Sequence, residues 1–494
     1  MGIPAYYTYL IKQHRKILVE LTKADHFYID GNSTIYDVVN SFSFDLTQSI
    51  EENELNIILL VVQKIKGYIE LVSPQTTTIT FDGIAPFAKL CQQRERRFKS
   101  HYQNKIKKKI FKKPIVSDFW DTAKITPGTP FMKRLTEIIK EHFVENVFAC
   151  DVPGEGEHKI FEILRLKGVN NDKHVIYGLD SDLIMLSMLH LDICPNIFLY
   201  RETPIYIKSI DSTLDETQNY FMDISSLSQT ILNEMGGNII DYVFISFMMG
   251  NDFMPHFPSL NIRTGGINKI ICAYIETQKQ IITIDRLKNK IVIDWESFYQ
   301  IIRILSLREE EYIKAEYNLR EKKHIFKGDT PEIKWRKYEN LPNTERSVEK
   351  YINPNIPNWE KRYYDALFDE CDPTHYIDAL IWNLTYYLFG CPDFNWAYPY
   401  QYPPLLMDIL PCIPRKEHHI LWEKKENTIS DIEQLCYVLP KGSLHILPED
   451  VQRKLNPEWY VEDCDFTWTF CKYFWESHVD LPKIDFDVMK KIIK

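Results

Sequence analysis

The chain has 494 residues, 45% of them hydrophobic and 13% aromatic, enough for two or more packed units and too rich in core-forming side chains for a disordered chain. No apolar stretch approaches the roughly 20 residues of a membrane helix, and residues Met1–Tyr7 carry no secretion signal. The net charge of −10 counts against a nucleic-acid partner until its distribution is read: eleven Lys or Arg stand between Lys89 and Lys113 against the single acid Glu95, a footprint on which a polyanion can dock.

In chain order, β-type runs at residues 27–30, 77–82, 146–151, 174–180 and 197–200 alternate with helical patterns at 55–71, 88–110, 129–145 and 158–166. Thr129 before Pro130 is a helix start. The alternation predicts βαβ units, hence an α/β fold with a mainly parallel sheet flanked by helices over 1–270. Residues 271–359 turn charged and helix-favouring, as in Arg308, Glu309, Glu310, Glu311, Lys314 and Glu316, and read as an exposed helical connector closed by the Pro and Asn cluster of 353–358. Residues 360–494, rich in Tyr, Trp and Pro, read as a second compact region, mostly helical and packed on the first. Ten scattered cysteines with no CxxC pair suit reduced thiols, so the expected location is intracellular, cytoplasmic with the nucleus left open.

Three predicted strands end in acids: Asp30, Asp82 and Asp180. Singly, an Asp after a strand is ordinarily a helix cap. At the carboxyl ends of parallel strands, however, such residues line the ligand crevice. Two i, i+2 pairs, Glu155 with Glu157 and Asp180 with Asp182, add side chains that an extended segment keeps on one side, and Asp252 after an apolar run makes a seventh. So many carboxylates repel unless cations neutralise them, and an oxygen-only donor set selects Mg²⁺ or Mn²⁺. Two such ions suit phosphodiester hydrolysis. His158 reads as structural rather than as a ligand.

Lys89, Gln93, Arg96 and Arg97 stand at i, i+4, i+7 and i+8, one face of a helix that starts just past Asp82. That face suits a terminal phosphate, and a closed pocket there is expected to refuse a cap or triphosphate by bulk as much as by charge. The run Lys105–Lys113 is open to a backbone-tracking, flap or targeting role. Tyr36 and Trp396 can stack on bases without reading sequence.

These stretches are similar to a known family. Met1-Gly2-Ile3-Pro4, Asp30-Gly31-Asn32-Ser33, Phe81-Asp82-Gly83-Ile84-Ala85-Pro86 running into Lys89 and Gln92–Phe98, Ile125-Thr126-Pro127-Gly128-Thr129, Val152–Lys159, Tyr177–Ile184 and Gly250–His256, in that order, resemble the Xrn/Rat 5′→3′ exoribonucleases. So do Lys361-Arg362-Tyr363-Tyr364, Tyr376–Gly390 with Trp382 and Asn383, and Asn395–Pro399. The resemblance implies a PIN-like nuclease domain with Mg²⁺ on all seven acids: Asp30, Asp82, Glu155, Glu157, Asp180, Asp182 and Asp252. It implies a 5′-monophosphate pocket on Lys89, Gln93, Arg96 and Arg97, and processive degradation of single-stranded 5′-monophosphorylated RNA to mononucleotides. Two departures stand out. Tyr36 replaces a base-stacking His of well-known members, and the chain is expected to be a minimal nuclease core, of the sort large DNA viruses carry. The competing expectations are a structure-specific flap endonuclease of the same superfamily and an inactive RNA-binding scaffold.

Overall fold

The computed structural model describes residues 2–21, 23–116, 119–143, 146–202, 207–210, 212–322, 326–416 and 418–493. Its centre is a seven-stranded sheet of β1 (Leu18–Val19), β2 (His26–Asp30), β3 (Thr76–Thr80), β4 (Val147–Phe148), β5 (His174–Tyr177), β6 (Ile197–Tyr200) and β7 (Phe221–Asp223), in the order β1-β7-β6-β5-β2-β3-β4. The strands β4, β3, β2, β5 and β6 are mutually parallel, and β7 and β1 close one edge antiparallel. Central β2 and β5 are apolar on both faces because helices cover both sides, the pattern expected of parallel strands.

Helices α1 (Tyr6–Gln13), α2 (Asn32–Ser41), α3 (Ile50–Val72), α4 (Phe87–Phe111), α5 (Pro130–His142), α6 (Gly156–Lys167) and α7 (Asp182–Met188) accompany the sheet. Local chemistry sets several of their starts. Ser49 and Glu52 form a capping box on α3, and Thr129 accepts from the Met132 amide with Pro130 in the first turn of α5, as the sequence predicts. Helix α5 ends at His142; residues 144–145 of the predicted helix lie outside the described residues.

The strands are shorter at their carboxyl ends than the apolar runs predict. Pairing lapses after Phe81, whose amide still donates to Phe148 O at 3.0 Å, while the Asp82 amide turns to Asn32 Oδ1 at 3.2 Å. Asp82 and Asp180 therefore sit on loops, just past the strands that aim them. Beyond the sheet the chain is largely helical, and a small antiparallel sheet pairs Ile282–Asp285, Lys290–Ile293 and His418–Leu421. One core runs from Ile3 to Ile413 across the expected boundaries at 270 and 359, so the three parts share an interior.

The stretch expected to be an exposed connector is partly internal. Glu309, Glu316, Arg320, Arg346 and Glu349 are all buried. Glu349 receives Arg320 Nη2 at 2.7 Å, Arg346 Nε at 2.6 Å and the Phe470 amide at 2.9 Å. Helical charge spacing looks the same whether charges face water or each other, which is why the sequence misleads here. Glu349→Ala would strand two buried guanidiniums and is expected to cost roughly 3–5 kcal/mol in urea unfolding. Removing Glu310, whose pair with Lys314 is exposed, should cost less than about 1 kcal/mol.

Candidate active site

All seven predicted carboxylates lie at the carboxyl edge of the sheet. Asp30 closes β2, Asp82 and Asp180 follow β3 and β5, Glu155 and Glu157 open α6, Asp182 opens α7, and Asp252 follows the tight turn at Gly250. The N-terminal turns of α6 and α7 present backbone dipoles that favour the acids there. Close approach dictates two glycines. A Cβ on Gly156 would lie 2.7 Å from Asp30 Oδ1, and one on Gly2, at φ +53°, only 2.3 Å from Asp182 Oδ1.

The ligand atoms of Asp30, Asp82 and Glu157 fall within 4.8 Å of one another. At an effective dielectric of ~20, each ionised pair at that spacing costs about 3–4 kcal/mol, so three such pairs rival the ~5–15 kcal/mol stability of a whole domain. Protons or cations must relieve this. Burial pushes Asp30 and Glu157 well above the usual carboxylate range, reinforced by Asp82 and Asp180 on Asp30 and by Glu155 on Glu157. Burial likewise lifts Asp182 to about 6.

One cation is built in. Lys89 Nζ, from the first turn of α4, lies 2.6 Å from Glu155 Oε2 and 2.7 Å from Asp252 Oδ2, all three side chains buried. Burial works against its charge, but Asp252 and Glu155 keep it protonated. In return, and against burial, Lys89 holds Asp252 below its ordinary range. On the Asp30–Asp82–Glu157 side, Asp30 Oδ1 is buried with no hydrogen-bond donor among the described residues. A hard divalent cation fits that all-oxygen gap.

Supporting residues that sequence patterns did not single out hold the acids in place. Tyr386 OH donates to Glu155 Oε1 at 2.8 Å, and its ring lies 3.6 Å from that of His158 at an interplanar angle of 8°. Burial, with help from Arg165, pushes His158 well below its ordinary value, so it is a neutral packing platform rather than a charged group. The buried Lys159 ammonium donates to Phe81 O at 2.6 Å and Ala149 O at 2.9 Å, tying off two strand ends beside Asp82. Tyr386 falls inside the family-like stretch Tyr376–Gly390, but its place in the apolar helix Thr374–Leu388 gives no sign of its role.

Helix α4 carries the other half of the site. Gln93 is buried, its Oε1 without a hydrogen-bond partner among the described residues, and Arg96 and Arg97 are half-buried. Burial works against the Arg96 charge, which Tyr36 and the acids Asp252, Asp180 and Asp82 sustain; burial and Arg96 together push Arg97 down. Arg96, Arg97 and Tyr36 line a cavity of about 350 Å³ with Ser100, His101 and Asp121. Asp121 adds a negative wall to it. Lys89 stands apart from this cavity, among the acids. Trp396 also lies elsewhere: its ring stacks on Trp382 at 5.0 Å and packs on the core. A second chamber of about 400 Å³ opens on Asp180, Asp252, Gln92 and His256.

Two family descriptions cover almost the whole chain: "XRN 5'-3' exonuclease N-terminus" matches residues 1–203, and "Xrn1 helical domain" matches 234–353 and 355–492. The chain belongs to the Xrn family of 5′→3′ exoribonucleases. Human 5'-3' exoribonuclease 1 is 27% identical over 98% of this chain, which spans 33% of that relative's length. A Drosophila melanogaster 5'-3' exoribonuclease 2 homolog is 24% identical over 98% of this chain and 70% of its own. The catalytic core of Rad2 in complex with DNA, with TM-score 0.33 and 12% identity over 83% of this chain and 100% of its own, is too distant to bear on fold or substrate.

Within this family setting the acidic cluster has a measurable signature. Asp182 keeps its proton more tightly folded than unfolded, so its contribution to stability is present below the ordinary 3.8 and lost as pH rises through about 6. Metal-free Asp182→Asn should lack that loss, becoming the more stable form relative to wild type as pH climbs. Thermal unfolding at several pH values in chelator, then with Mg²⁺, checks both the slope and its disappearance on metal addition.

Proposed function

We propose that this chain removes nucleotides processively from the 5′ end of single-stranded RNA bearing a 5′-monophosphate, releasing mononucleotides by hydrolysis that depends on two Mg²⁺ or Mn²⁺ ions. The ions would be held by Asp30, Asp82, Glu155, Glu157, Asp180, Asp182 and Asp252. Once bound, such a pair activates water and stabilises the leaving oxygen of a phosphodiester. The observation that carries the reading is that one helix, α4, brings Lys89 to the acids and Arg96 and Arg97 to a neighbouring cavity. Lys89 touches the acids, while Arg96 and Arg97 follow it by seven and eight residues on α4, about 11–12 Å along the axis at ~1.5 Å per residue. The arginine side chains would have to reach back along the helix for a terminal phosphate there and the adjoining phosphodiester at the acids to flank one nucleotide.

The chain's own side chains divide the work. Arg96, Arg97 and Gln93 bind and orient the terminal phosphate through charge-assisted bonds. Lys89 keeps Glu155 and Asp252 ionised and placed, and Tyr386 fixes the second oxygen of Glu155. Tyr36 at the cavity offers a π face to the first base. Trp382 occupies one face of Trp396, so a base can use only the other. Discrimination against triphosphate ends would come from charge, with extra phosphates meeting Asp121, as well as from bulk.

Purified protein with Mg²⁺ and matched RNAs bearing 5′-monophosphate, 5′-triphosphate or 5′-hydroxyl ends tests this directly. Mononucleotide release from the monophosphate RNA is expected. Cleavage of an internal flap on a 5′-blocked substrate would favour a flap endonuclease instead, and no metal-dependent release would leave a binding scaffold. Asp180→Asn should abolish hydrolysis while RNA affinity stays close to wild type, since the phosphate clamp is untouched; substantial residual turnover would place the metal elsewhere. Arg97→Ala should cost about 10- to 100-fold on 5′-monophosphate RNA, given roughly 1.5–3 kcal/mol for a charged hydrogen bond. The slow 5′-hydroxyl reaction should change little. An equal loss on both substrates would show that Arg97 grips only the backbone.

A further inference from the structure

The opposite end of the sheet holds a second group of ligand-type side chains, built from nitrogen as well as oxygen. His26 opens β2 and His174 opens β5; the two are register partners, and their rings stack at 4.9 Å. Asp172 lies two residues before His174. The ligand atoms of His26, Asp172 and His174 all fall within 4.8 Å of one another. Asp30 is at the far end of the same strand, about 13 Å from His26 at ~3.3 Å per residue, so the group stands apart from the catalytic acids.

Each imidazole has one nitrogen anchored by a side-chain oxygen. His26 Nδ1 lies 2.6 Å from Thr76 Oγ1, and His174 Nε2 lies 2.6 Å from Asn170 Oδ1. Oxygen partners of this kind fix the tautomer of metal-ligating histidines and turn the other nitrogen to the ion. For His174 that nitrogen is Nδ1, which Tyr28 OH meets only over 3.4 Å. For His26 it is Nε2, which faces Asp172 Oδ2 at 3.0 Å. Two lone pairs cannot face each other at that distance, so a proton or a metal ion stands between them.

We propose that His26, Asp172 and His174 bind a zinc-type transition-metal ion. Tetrahedral Zn²⁺ with bonds of about 2.0–2.1 Å needs donor atoms roughly 3.3–3.4 Å apart. The His26–Asp172 pair is already near that spacing. Asp172, with its side chain 52% exposed and on the loop between α6 and β5, supplies the remaining movement. Imidazole nitrogen separates this site chemically from the oxygen-only catalytic one, so the two favour different ions. Bound there, the ion would staple the loop after α6 to the first residue of β2. Both neighbours of that loop carry catalytic acids at their other ends, so the staple would stiffen the frame without touching the reaction.

The test is a Zn²⁺ and Co²⁺ titration of the metal-stripped full chain in excess Mg²⁺, which fills the carboxylate site. One Zn²⁺ per chain should resist the Mg²⁺, Co²⁺ should show the intense visible bands of four-coordinate geometry, and Zn²⁺ should raise the melting temperature. Asp172→Asn and His26→Gln should each weaken Zn²⁺ binding by at least about tenfold, while hydrolysis with Mg²⁺ alone stays at the wild-type rate. Zn²⁺ wholly displaced by Mg²⁺, or bound equally well by both variants, would overturn the proposal and leave a His26–Asp172 ion pair. Should His26→Gln fail to fold, Asp172→Asn decides alone, because that side chain is exposed and outside the core.

Discussion

Mutual repulsion among the carboxylates is the constraint around which this chain is organised. A fold that gathers seven acids at one sheet edge must supply positive charge, and the buried Lys89 ammonium between Glu155 and Asp252 is the part it supplies itself. Stripping a lysine of water costs several kcal/mol, and only partners as close as these offset it. The offset is local. Lys89 touches Glu155 and Asp252 and acts from further off on Asp30 and Glu157, which burial and like charges still hold well above the usual carboxylate range.

That arrangement also explains the place of helix α4. Its first turn must enter the acidic crevice to deliver Lys89, which forces the next two turns, with Gln93, Arg96 and Arg97, to leave along one line. Contacts with the C-terminal part of the chain keep the line straight: Arg94 Nη2 donates to Trp459 O at 3.1 Å and Pro482 O at 2.9 Å, and the Ala85 amide donates to Gln434 Oε1 at 3.0 Å. The residues beyond 270 therefore act on the site by gripping this helix, by lending Tyr386, and by walling the chamber on Asp180 and Asp252 with Tyr402, Phe470 and His478.

Strand ends and loops share the remaining positioning. Stopping β3 at Thr80 and β5 at Tyr177 frees Asp82 and Asp180 from the pleat, which would otherwise fix each side chain to one face of the sheet. The cost is backbone that must be satisfied by other means. Asn32 Oδ1 on the Asp82 amide, Asp82 Oδ1 on the Gly156 amide at 2.8 Å, and Lys159 on two carbonyls meet that need.

Periodicity and local chemistry were enough to reveal the parallel sheet, the long basic helix, the start of α5 and the seven acids, because strand alternation, caps and i, i+4 faces are written in neighbouring residues. The acids were legible as a set since an oxygen-only group at strand ends has few other uses. Tertiary structure alone decided that Lys89 belongs with the acids rather than with Arg96 and Arg97, for helical spacing gives a face but not what that face meets. It likewise decided that Trp396 leans on Trp382, that Asp121 lines the cavity beside Arg96 and Arg97, and that Glu349 is buried between two arginines. Apart from the i,i+3 pair of Arg346 with Glu349, each of these depends on a partner more than ten residues away or on space left between elements, which no local pattern encodes.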